Sequence, residues 1–68
     1  MNNERLGQRL RAARQRSGLS IDRAAIQSGV SASTIFRLEH GSTKCVYLST
    51  LEVLADMYNT SLADLIGG

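Results

Sequence analysis

Apolar residues along this chain recur at helical spacing rather than in the alternation of strands. Leu6, Leu10 and Ala13 share one face, Asn3 can cap the segment and Gly18 can stop it, which predicts a helix over about residues 4–17. Ser20 then caps a short helix over about 21–28, with Ile21, Ala24 and Ala25 on its inner face and Gly29 at its end. Ser31 caps a third over about 32–40, with Ile35 and Leu38 inward and Gly41 as terminator. A fourth, about 48–58, carries Leu48, Leu51, Leu54, Ala55 and Tyr58 at helical spacing, and Asn59 is a left-handed stop. Ser61 with Asp64 comes close to a capping box and opens a last helix over about 62–66, containing Leu62, Leu65 and Ile66. The reading is all-α: one domain, residues 1–68, a compact bundle of five short helices.

The second and third of these helices are separated only by Gly29-Val30-Ser31. So short a link cannot turn them antiparallel, so they must cross steeply, with Ala25 small at the crossing and Val30, Ile35 and Leu38 plugging the angle. Such an arrangement projects the later helix outward, where a DNA major groove is wide enough to admit it.

Charge sharpens this picture. Residues 1–44 hold all eight basic side chains (Arg5, Arg9, Arg11, Arg14, Arg16, Arg23, Arg37, Lys44) and three acids, a net +5. Residues 45–68 hold Glu52, Asp56 and Asp64 and no base, a net −3. One half can face an anion and the other is not built to, although a solvated basic helix would look the same from charge alone. Cys45 alone forms no intramolecular disulfide, and Cys45 with His40 is too few soft ligands for structural zinc. With 68 residues a single core is marginal, so association with a second chain is the support that remains. A lone thiol without an export signal or an apolar span fits the reducing cytoplasm.

From Leu19-Ser20, Ala25, Gly29-Val30-Ser31, Ser33-Thr34-Ile35, Arg37-Leu38-Glu39 and Gly41, the chain resembles the Cro/cI-like (XRE-type) helix-turn-helix family of bacterial and phage regulators. Leu48, Thr50-Leu51, Leu54-Ala55, Ser61-Leu62 and Asp64-Leu65 continue the likeness through the closing helices. It departs where many members carry Gln, here Ile21, which is expected to pack inward instead, and where a bulkier residue often stands for Ala24. The loop before the fourth helix is one residue longer than usual.

The resemblance implies a lambda-repressor-like DNA-binding domain and a sequence-specific regulator of transcription, of repressor type. It would read double-stranded DNA with the helix at 32–40. Ala32, Ser33, Phe36 and Arg37 are the base-reading candidates. Arg37 can pair with guanine O6 and N7 together, or else rest on a phosphate or in solvent. Phe36 either presses on a thymine methyl or folds back onto the neighbouring helix. Ser20, Ser31, Thr34, Ser42, Thr43 and Lys44 are phosphate candidates, each with a plain alternative as cap or loop residue. Arg9, Arg11 and Arg16 are assigned to long-range attraction. The likeness also implies a structural ion pair between Arg14 and Glu39. Val53, Met57 and Ile66 either form a homodimer interface or complete the core.

No cofactor, metal, membrane or small-molecule sensor domain is implied. An enzyme would need a nucleophile, a base and a cleft, and a single histidine at a helix end does not supply them. The rival reading keeps the fold and loses the DNA: a protein-interaction or antitoxin-like module using Ile26 and Phe36.

Overall fold

A computed structural model describes residues 3–43 and 45–67. It contains α1 (Asn3–Arg16), α2 (Ile21–Ser28), α3 (Ala32–Glu39), α4 (Leu48–Met57) and α5 (Leu62–Ile66), with no strand among the described residues. α1 packs on α3 and α5, α2 on α3 and α4, and α4 on α5. Leu6, Leu10 and Ala13 of α1 meet Ala24, Ile35, Leu38, Leu51, Leu54, Ala55, Tyr58 and Leu65 in one core.

Short helices depend on their ends, because the first N–H groups have no partner inside the helix. Three ends are closed by serine: the hydroxyls of Ser20, Ser31 and Ser61 accept from the N–H of Arg23, Thr34 and Asp64 at 3.1, 3.2 and 3.0 Å. Gly29 stops α2 at φ 79°, where a Cβ would be strained, and its N–H donates to Ala25 O at 2.9 Å. Asn59 takes the same left-handed role after α4, at φ 56°.

Two details differ from the sequence reading. Asn3 is already helical, so it is not the cap of α1. Leu48, expected on the inner face of α4, is 57% exposed. It opens α4 without a side-chain cap ahead of it, one turn before the buried Leu51. Met57, read as either dimer contact or core, lies partly buried against the core.

One constraint has no counterpart in the helical pattern. Gly7 is buried where α1 crosses the end of α3, and a Cβ there would stand 2.5 Å from the carbonyl oxygens of both Leu38 and Glu39. These are backbone atoms and cannot swing aside. In an open helix Gly→Ala gains roughly 1 kcal/mol, but here the added methyl must push two helices apart. Gly7→Ala is therefore expected to lower the unfolding free energy by about 1–3 kcal/mol in a urea titration. An increase would show that α1 and α3 do not approach this closely.

Candidate functional site

The region from α2 to the loop after α3 is built around a turn with its polar groups engaged. The N–H of Val30 donates to the hydroxyl of Ser28 at 3.0 Å, which in turn sits 3.5 Å from Ala25 O. Beneath it, Ala24 is fully buried and Ile35 is 1% exposed, with Ile21, Ala25 and Val30 packed at the rim. The inner sides of α2 and α3 are thus taken up by the core. Ser33, Phe36 and Arg37 of α3 are exposed, whereas Ala32 and Thr34 are half-buried at its edges.

The exposed side chains are ordered by their own helix. Nε of Arg37 donates to Ser33 O at 3.3 Å, which holds the stem along α3. Beyond the helix, the N–H and hydroxyl of Ser42 both donate to Arg37 O, at 3.0 and 3.3 Å, and so close the C-terminal end. At the other end, the Ser31 hydroxyl accepts its capping bond and donates to Thr34 Oγ1 at 2.7 Å. Ser33 Oγ lies 3.4 Å from it. Arg37, Thr34, Ser42 and Thr43 line one open cleft of about 260 Å³ between α3, the following loop and the start of α4. The structure therefore brings together three of the six phosphate candidates with the leading base-reading candidate. Ser20 and Ser31 cap α2 and α3 outside that cleft, and Lys44 lies outside the described residues.

Phe36 does not fold back onto the neighbouring helix, the second of the two readings its sequence position allowed. Its ring stacks on His40, with centroids 3.9 Å apart and planes 21° from parallel, rather than on a neighbouring helix. Periodicity alone contained this signal, because residues four apart on a helix share a face.

α3 is anchored from behind. Nε of Arg14 donates to Glu39 Oε2 at 2.7 Å and Nη2 to Oε1 at 3.0 Å. Nη1 donates to Leu19 O at 2.8 Å, ahead of α2. The Glu39 side chain is 1% exposed, and this hydrogen bond is the first reason the Arg14 guanidinium holds its proton more tightly than an ordinary arginine. Arg9, assigned from sequence to long-range attraction, also donates to Asp64 O at 3.3 Å and ties α1 to α5. Arg11 and Arg16 are exposed.

Elsewhere, Ile26 is 77% exposed, and Val53 and Ile66 are about half exposed on α4 and α5. Among the described residues no three His, Cys, Asp or Glu side chains gather as metal ligands, and no helix is long and apolar enough to cross a membrane.

Tyr58, beside this anchor, is buried with its hydroxyl unpartnered among the described residues. Burial, and then the negative charge of Glu39, push the phenol up to about 12 from its ordinary 10, while Arg14 opposes them. The folded state thus holds this proton more tightly than the unfolded chain does. The contribution is fully present below pH 10 and is lost as pH rises through about 12. In a Tyr47→Phe background, tyrosinate absorbance should appear only near pH 12, together with loss of helical circular dichroism. Ionisation near pH 10 with the fold intact would contradict this burial.

Compared with known families, residues 5–65 match the model of a helix-turn-helix domain. No curated protein and no solved structure matches the chain.

Proposed function

Because the chain belongs to the helix-turn-helix domain family, a family of DNA-binding modules, we propose that it is a sequence-specific binder of double-stranded DNA of the Cro/cI-like (XRE-type) kind. It lays α3 in the major groove and regulates transcription, as a repressor acting in the cytoplasm on a bacterial or phage chromosome. The observation that carries this reading is the outer side of α3. It presents Ser33, Phe36 and Arg37 from a helix capped at its start and anchored to α1 at its end.

In this reading Arg37 reads a base edge. Its Nε is engaged with Ser33 O, so the two terminal nitrogens form the fork that suits guanine O6 and N7. Ala32 and Ser33 contribute a methyl and a short hydroxyl near the groove floor. Thr34, Ser42 and Thr43 meet phosphate along the shared cleft, Lys44 is a further phosphate contact by its charge, and the first N–H groups of α2 and α3, behind Ser20 and Ser31, meet phosphates on either side. The segregated basic half supplies the attraction that brings duplex and protein together.

The protein acts as a homodimer across α4 and α5, with Val53 and Ile66 at the contact and Met57 behind them. Two-fold symmetry then sets the recognition helices about 34 Å apart on a near-palindromic site. Repression follows from occupancy of the site. One observation favours the rival protein-interaction reading: Ile26 on α2 is the most exposed of the large apolar side chains among the described residues, and duplex reading gives it no role.

Fluorescence anisotropy with random-sequence duplex at two salt concentrations, alongside a pool selected for tight sites, separates these. Binding should weaken steeply with salt, and the selected pool should converge on a near-palindrome. Arg37→Ala should cost about 1–3 kcal/mol on the selected site and relax preference at one base pair per half-site. Absence of duplex binding at low salt would overturn the proposal in favour of a partner at Ile26 and Phe36.

A further inference from the structure

From the sequence His40 reads as a cation at a helix C-terminus or a phosphate neighbour, outside the base-reading set, yet it lies on the outer side of α3. It follows Phe36 by four residues and Arg37 by three, so all three share one face. It is exposed, as are Phe36 and Arg37. Its ring covers one face of Phe36 in a near-parallel stack at 3.9 Å. Its Nδ1 lies 2.8 Å from Phe36 O. A carbonyl oxygen only accepts, so Nδ1 carries the proton in this bond, and the ring is fixed both by its edge and by its face.

The consequence falls on Phe36. A half-exposed phenylalanine on a short helix would ordinarily sample several rotamers and lose that freedom on binding. Here the stack selects one rotamer beforehand and leaves the ring 51% exposed. In an intact duplex the faces of the bases are covered by their neighbours. Only their edges are open in the major groove, and the one apolar group on those edges is the C5-methyl of thymine.

We propose that Phe36 and His40 form one preorganised unit that reads a thymine C5-methyl, with Phe36 as the contacting surface and His40 as its positioning residue. This deepens the DNA-reading proposal and rests on it. Arg37 and the Phe36–His40 unit then divide the face of α3 between a guanine edge and a thymine methyl.

The test uses the selected duplex and versions in which each thymine in turn is replaced by uracil, which lacks only the methyl. Wild-type protein should bind about fourfold less tightly when the uracil falls at one position of each half-site, the worth of one buried methyl-sized group. The readout is the thymine-to-uracil affinity ratio within each variant, so general loss of affinity cancels. Phe36→Ala should bring that ratio to unity and His40→Ala should lower it, whereas His40→Tyr, which retains a stacking ring, should restore it. A ratio in His40→Ala equal to wild type overturns the positioning role. Operator binding that ignores every uracil overturns the methyl reading alone, and failure to bind any duplex overturns the DNA reading and this inference with it.

Discussion

Arg14 and Glu39 meet in a two-pronged ion pair whose carboxylate is almost wholly out of water, and the placement of α3 depends on it. Removing two charges from water is costly, and their attraction offsets the cost only when geometry is good and the remaining polar atoms are satisfied. Here both carboxylate oxygens are engaged, and a further guanidinium N–H is used on Leu19 O. Its effect is chiefly orientation. One side chain on α1 fixes the last residue of α3 and the strand of chain that enters α2, so both arms of the helix-turn-helix are referred to the same helix. Gly7 permits this, because α1 can come close to the Leu38 and Glu39 carbonyls only without a Cβ.

With α3 held from behind and its ends closed locally, its outer side has no structural duty. That freedom leaves it open to contact with a partner. The residues there are arranged by short-range bonds within α3 itself: Arg37 on Ser33 O, His40 on Phe36 O, and Ser42 on Arg37 O. Such bonds narrow the conformations of exposed side chains before any partner arrives, and so lower the entropy lost on binding. The far side of the bundle follows a different logic. Arg9 bonds the end of α5, and the last third of the chain carries Glu52, Asp56 and Asp64 with no basic side chain.

The fold was legible in the sequence wherever its cause is local. Serine caps, the left-handed stops at Gly29 and Asn59, and the spacing of Leu51, Leu54 and Ala55 all act within a few residues. Features that depend on contact between distant segments were not. Nothing near Gly7 in sequence says that the end of α3 will lie against it, although an isolated glycine amid good helix formers was a usable hint. Leu48 matched the periodicity yet faces solvent, because periodicity says nothing about where the opposing surface ends. Arg14 and Glu39 are 25 residues apart, and only family resemblance, not spacing, suggested that they meet. Of the candidate site, the arrangement of Arg37, Thr34, Ser42 and Thr43 around one cleft could not be read from the chain, since the path of the following loop decides it. The Phe36–His40 stack could have been read, being a single helical turn.

The most direct test of this account is a double-mutant cycle on the anchor, measured as unfolding free energy in urea for Arg14→Met, Glu39→Leu and the combined variant. Each single change strands a buried polar partner and should cost about 3–5 kcal/mol, while the pair of apolar replacements removes both charges together and should cost far less than the sum. A single variant that fails to fold while the double variant folds is the same result in stronger form. Losses that simply add would mean that Arg14 and Glu39 do not act as a unit, and that α3 is held in place by the core alone.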